Sequence, residues 1–275
     1  MTKFMDTSKE SISNIVVVAR ILLSTLFWAT CIILISPYSG KKEHRWALAH
    51  MWVDRLLAIT GISIDLTIEE PLSPADGPFI FMANHQSFMD IPILAAILRP
   101  FSLSWVALSW LGQVPFFGWA FRRLDPILVQ PGNKRRNGSA MKAAKGTLID
   151  GNSLLVFPEG ERTRDGQLLP LKTSFFKLAL ETGVAIVPVT IIGAGQLLPP
   201  GSCKIKAGTV RVIIGRPVVP ISPPLEDLKQ AVRARWSNCS FNLHRDYYFS
   251  PKVRSLRYEE TPQVLQLIVE ERRPG

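Results

Sequence analysis

Two loops hold most of the side chains able to do chemistry. The first is NHQSFMD, residues 84–90, which follows the apolar stretch PFIFMA at 78–83. A chain with only four histidines places one, His85, at the end of an expected strand, with Asp90 five positions later at an expected helix start. An imidazole whose one nitrogen donates to a carboxylate has its other nitrogen free to take a proton from a hydroxyl. The carboxylate would hold the tautomer and stabilise the imidazolium. The same spacing also suits a plainer arrangement, with Asp90 capping the helix and His85 in solvent.

The second loop lies in LLVFPEGERTRDG, 154–166, where an apolar run again leads into charge. Glu159, Arg162 and Arg164 cluster around Gly160. Guanidinium groups offer paired, coplanar donors to phosphate, and a glycine lets backbone approach a ligand. A polar turn is the competing reading, since Asp165-Gly166 is a turn signal. A third stretch, Arg122 to Lys145, holds seven Lys/Arg against one acid and reads as a solvated basic face. It lacks the interleaved aromatics that stack bases, so nucleic acid is not an expected partner.

The sequence contains no GxSxG elbow, no HExxH and no GxxxxGK[ST] loop. Gly193-Ala194-Gly195 lacks the third glycine of a dinucleotide motif. The three cysteines, Cys31, Cys203 and Cys239, are scattered and imply neither disulfides nor a metal site. The sequons at Asn137 and Asn238 read as chance. No covalent nucleophile stands out and no cofactor or metal is called for, so a base would have to activate a hydroxyl of the substrate itself.

These loops need a scaffold. The 275 residues are 47% apolar, with net charge +10, enough for a substantial core under a basic surface. Mean hydropathy is +0.17, high for a freely soluble enzyme. Residues 15–35 form a 21-residue apolar run with one charge, Arg20, long enough to span a bilayer or dip into it. Basic residues flank both ends, so the usual orienting asymmetry is missing. Residues 41–61 read as a second helix, with Trp46, Ala49, Val53, Leu56 and Leu57 on one face and Gly61 as its stop. Strands are expected at 62–68, 78–83, 103–108, 153–157, 184–192 and 209–215. Helices are expected from Asp90, over 115–124 and over 172–182. Alternation of this kind predicts an α/β layer structure.

Together the motifs resemble the 1-acyl-glycerol-3-phosphate acyltransferase family of glycerolipid acyltransferases. NHQSFMD looks like its NHxxxxD block, VPFFGWAFRRL like the segment entering its second block, FPEGERTR like its FPEG-[ST]-R block, and IVPVTI, with Pro188, like its fourth. The likeness runs over about residues 78–192. It implies an α/β fold with a mixed sheet flanked by helices and an N-terminal hydrophobic two-helix hairpin that seats the enzyme on the membrane. The divisions would be 1–61, membrane-associated helices; 62–224, the acyltransferase domain; and 225–275, a helical or irregular extension. It implies acyl transfer from acyl-CoA or acyl-carrier protein to the free hydroxyl of a lysophospholipid at the cytoplasmic face of the cell membrane. His85 would be the base and Asp90 its partner. Glu159, Gly160, Arg162, Arg123 and Lys172 would hold the acceptor, 1-acyl-glycerol-3-phosphate by default. Glu161 stands where the family has Thr or Ser, Pro131 where its second block carries arginine, and Leu108-Ser109 where relatives often have lysine. These departures leave another acceptor open, such as a lyso-ornithine lipid, or an inactive lipid-binding relative.

Overall fold

The computed structural model describes residues 2–38, 41–220, 224–246, 256–258 and 267–269. Helix α1 (Thr2–Ile35) and helix α2 (Lys42–Thr60) form an antiparallel hairpin. Gly61 ends α2 in the left-handed region, φ 65°, its N–H donating to Leu57 O. Then follow β1 (Ile62–Ile68), β2 (Ile80–Ala83), α3 (Asp90–Ile97), β3 (Leu103–Leu108), α4 (Phe117–Arg122) and β4 (Ile127–Val129). The chain continues through α5 (Lys134–Ile149), β5 (Ser153–Val156), α6 (Ser174–Thr182), β6 (Ile186–Ile192), α7 (Ala194–Leu197), β7 (Gly208–Ile214) and α8 (Leu225–Asp246). Two short strands, β8 (Leu256–Tyr258) and β9 (Leu267–Val269), pair with each other.

The main sheet has seven strands in the order β1-β7-β6-β2-β5-β3-β4. β6, β2, β5, β3 and β4 are mutually parallel, with Ile80 of β2 level with Leu154 of β5 and Ile186 of β6. β7 runs antiparallel to β6 and parallel to β1, so the sheet is mixed. Strands β2, β5 and β6 are buried on both faces, which is why they read as unbroken apolar runs. One face is covered by α2 and α3, the other by α5, α6 and the start of α8. Leu228, Val232 and Trp236 of α8 belong to that second core, so residues after Pro224 help build the domain. The parallel strands all deliver their C-terminal ends to one edge, where α/β folds place their sites.

The stretch read as a solvated basic face contains β4 and the 16-residue helix α5. Its seven basic residues and two glycines hide a narrow stripe of Ala140, Ala144 and Leu148, which is all that α5 buries. Asn133 caps the helix, its side chain accepting from Arg136 N–H at 3.0 Å.

Within α1, Asn14–Ile35 is long and apolar enough to cross a membrane, and of that stretch only Ala29 and Ile32 are buried. Leu22 and Leu23 are 64% and 67% exposed. Side-chain hydrogen bonds tie it to the loop before β7 and to α2. Asn14 donates to Cys203 O and accepts from Ile205 N–H, both at 2.9 Å, and Trp52 Nε1 donates to Thr25 Oγ1 at 3.1 Å.

Between β3 and β4 the chain makes a tight γ-turn at Phe116, φ 58° and ψ −63°, closed by Phe117 N–H to Pro115 O at 2.7 Å. A non-glycine residue in this region carries roughly 1–3 kcal/mol of strain. The surroundings hold it in place. Arg122 Nε donates to Gly112 O at 2.7 Å, and Gly118 lies so close to the 111–112 backbone that a Cβ there would sit 2.7 Å from Gly112 C.

Candidate active site

β2 ends at Ala83, and Asn84 locks the exit. Its amide donates to Ile191 O at 2.9 Å and accepts from Ile191 N–H at 2.7 Å, so the loop starts from a fixed point on β6. Further along, Ser87 Oγ donates to Leu198 O at 2.9 Å. Asp90 is fully buried, and its Oδ2 accepts from Gln86 N–H at 2.7 Å and from Ser87 N–H at 2.8 Å. The same oxygen lies 2.8 Å from His85 Nδ1. The carboxylate thus meets both readings of the sequence: it organises the loop's backbone and faces the imidazole. Phe157 at the end of β5 stacks on the His85 ring, centroids 4.0 Å apart and planes 20° from parallel. Ring, carboxylate and aromatic wall fix the imidazole, whose side chain is 15% exposed.

Glu159 is placed differently from the acceptor-holding role expected of it. It is 3% exposed, and both carboxylate oxygens are occupied by backbone: Oε1 accepts from His85 N–H at 2.9 Å and Oε2 from Leu169 N–H at 2.8 Å. Burial pushes its carboxyl above the ordinary value, opposed by those two N–H groups. Thr163 N–H donates back to His85 O at 2.9 Å. The two charged loops are therefore laced together through the backbone of His85.

Arg162 lies over the Phe88 ring, its guanidinium carbon 3.5 Å from the centroid. Burial lowers its pKa, and the nearby Asp90 carboxylate opposes that shift. Its Nη1 is buried with no protein partner, a donor left open beside His85's loop. Gly160 has φ 73°, a conformation that favours glycine, and the end of the flexible Lys172 side chain lies against it. Lys172 is itself exposed, and its N–H donates to Pro158 O at 2.8 Å. Glu161 is exposed. His85, Asp90, Glu159, Gly160, Arg162 and Lys172 thus share one sheet edge. Arg123 does not join them through any contact seen here. It is exposed at the end of α4, two residues before Asp125, whose carboxylate pairs with Arg45 of α2 at 3.2 Å. Sequence reasoning gave no role to Asn84, Phe88 or Phe157, though each lies within one of the two charged stretches. Their work is packing and backbone clamping, which residue type alone does not announce.

The arrangement, a strand-end imidazole with a buried carboxylate and an open guanidinium, makes this edge of the α/β sheet the candidate active site. An acyltransferase family model matches residues 63–192. The chain is 32% identical over 188 residues to the chloroplastic 1-acyl-sn-glycerol-3-phosphate acyltransferase LPAT1 of Arabidopsis thaliana, covering 68% of this chain and 51% of that protein. It is 29% identical over 201 residues to the 1-acyl-sn-glycerol-3-phosphate acyltransferase of Pseudomonas aeruginosa, covering 70% of this chain and 75% of that one. In fold it is similar to the crystal structure of the 1-acyl-sn-glycerophosphate (LPA) acyltransferase PlsC from Thermotoga maritima, with TM-score 0.69 and 24% identity, over 88% of this chain and 100% of the other. The chain spans about half the length of the two chloroplastic relatives from Arabidopsis and Brassica napus. Residues 63–192 thus carry an acyltransferase domain, and the chain is similar over 188–201 residues to these 1-acyl-sn-glycerol-3-phosphate acyltransferases.

Proposed function

We propose that the protein is an O-acyltransferase moving a fatty acyl group from a thioester donor, acyl-CoA or acyl-carrier protein, to the free hydroxyl of 1-acyl-glycerol-3-phosphate, yielding phosphatidate. The observation that carries this reading is the 2.8 Å contact of His85 Nδ1 with the buried Asp90 Oδ2 at the open edge of the sheet. With the Nδ1 proton directed to Asp90, Nε2 offers its lone pair to the acceptor hydroxyl. The hydroxyl oxygen attacks the thioester carbonyl carbon as its proton passes to Nε2. The tetrahedral intermediate then breaks its C–S bond, and the imidazolium returns the proton to the leaving thiolate. An ester and a free thiol result, and no enzyme group is acylated. Asp90 stabilises the transient imidazolium. Arg162, with its open Nη1, and Lys172 grip the acceptor's phosphate. The step needs no cofactor beyond the donor. The apolar Asn14–Ile35 stretch seats the enzyme at the cytoplasmic face of the membrane, where the acceptor resides.

Purified protein given labelled acyl-CoA or acyl-carrier protein and a panel of lyso-lipids, lyso-ornithine lipid included, tests the reading. The expected product is phosphatidate, and with His85→Ala its rate falls by roughly 10² or more. Release of free fatty acid without acylated lipid, or turnover near wild type in the variant, would overturn it.

A further inference from the structure

One segment beside the site carries aromatic side chains that the reaction does not use. Trp110, Phe116 and Trp119, all within ten residues, are 50%, 45% and 51% exposed. Scattered exposed aromatics need no explanation, but three on one short and rigidly built segment do. The helix separates two sets of rings. Phe117 and Phe121 stack with centroids 5.8 Å apart and face Trp52 of α2, while Phe116 and Trp119 contact each other at 5.3 Å on the exposed side. The strained turn at Phe116 keeps its ring outside.

The surroundings argue for one occupant. Ala120 of α4 is buried together with Ala29 and Ile32 of α1, so the aromatic segment adjoins the apolar helix. The same helix leaves Leu22, Leu23 and Phe27 exposed. The exposed cations Arg122 and Arg123 follow at the end of α4. Tryptophan and phenylalanine beside arginine, continuous with a lipid-length apolar helix, is the composition that settles at the headgroup–acyl boundary of an anionic bilayer.

We infer that residues 109–119 form a second membrane-seating element, an aromatic wedge that enters the lipid interface alongside α1. Two separate points of contact fix the tilt of the domain, as one helix alone does not, and so hold the His85 edge at the lipid surface. The inference rests on the lipid-acceptor reading above.

The test has two arms. The protein is reconstituted in vesicles of phosphatidylglycerol and phosphatidylcholine containing lipid brominated near the headgroup. Part of the tryptophan emission is quenched, and the quenched share falls in Trp110→Phe/Trp119→Phe, which keeps the aromatic character and leaves Trp28 of α1 in place. Identical quenching in wild type and this variant would overturn the wedge. In the second arm, Trp110→Ser/Phe116→Gly/Trp119→Ser lowers kcat/KM for lipid in vesicles by about fivefold or more, and that for a monomeric short-chain acceptor by less than about twofold. Phe116→Gly alone keeps the fold and shows a smaller loss of the same kind. Equal losses on both acceptors would mean damage to the site and would sink the inference. So would a changed oligomeric state in detergent with unchanged vesicle activity, which would make the face a contact with a second copy. Wild type that acylates neither acceptor would instead remove the functional reading, and the quenching arm would still decide the wedge.

Discussion

The molecule contains the same three residue types, histidine, aspartate and arginine, at both ends of the sheet, and they behave oppositely. At the C-terminal edge of the parallel strands, His85 faces an Asp90 that is 0% exposed in its side chain. At the other end, His50 and Asp54 lie four residues apart on α2, but Asp54 is 57% exposed and pairs with Arg99 instead. His50 is left against Trp46, ring centroids 5.7 Å apart, beside a cavity of about 340 Å³ also lined by Lys42, Arg99 and Trp105. Burial, then the Arg99 charge, lowers its pKa to about 4, with Asp54 opposing. Residue type and helical spacing therefore do not make a base. What sets His85 apart from His50 is a buried carboxylate, held by backbone N–H groups against the ring.

The comparison breaks most clearly by deletion. His85→Ala is expected to cut acyl transfer by ~10²–10⁴, the usual worth of a positioned base. His50→Ala should leave the rate within about threefold, because it removes partial packing and no reacting group. Comparable losses in the two would erase the distinction. The carboxylates come next. Asp90→Asn should lower kcat by ~10² or more with KM little changed, since the amide no longer enforces the tautomer. Asp54→Asn removes an exposed ion pair and should cost ~1 kcal/mol or less in thermal unfolding, with no change in rate.

Glu159 sharpens the point. Glu159→Gln keeps one oxygen for the His85 N–H but offers a donor to Leu169 N–H, so the loop loosens. The expected outcome is about a tenfold drop in kcat at nearly constant KM, with a lowered Tm. A rise in KM alone would return Glu159 to the acceptor site. The smallest effect concerns pH. His50 titrates near its ordinary value when unfolded and at about 4 when folded, so between those values the unfolded chain binds more protons. Stability from this group is present above pH ~6.5 and is lost as pH falls towards 4. Tm measured over that window should decline less in His50→Gln than in wild type.

Much of the site was readable because its residues are local in sequence. His85 and Asp90 sit within one short loop, and FPEG marks the next strand end. Strands β2, β5 and β6 could be read because they are buried on both faces and so are apolar throughout. Helix α5 escaped because it buries only a thin alanine–leucine stripe beneath basic residues. The place of Glu159 escaped for another reason: its partners are backbone N–H groups, one in its own connection and one in the distant loop after β2, and backbone leaves no trace in residue type. Arg123 was offered as an acceptor contact in place of the arginine of the family's second block, and it lies at the end of α4 near Asp125.

The sequence by itself determined the chemistry on offer: an imidazole and a carboxylate on one loop, a guanidinium on another, and an apolar helix near the start. Those follow from residue identity and short-range spacing. Only the tertiary structure decided which histidine has a carboxylate to itself, that Glu159 holds the backbone of His85, and that a strained turn exposes aromatic rings beside α1. Such outcomes depend on burial and on contacts between segments far apart in the chain, which set solvent access and hydrogen-bond direction and are written at no single position.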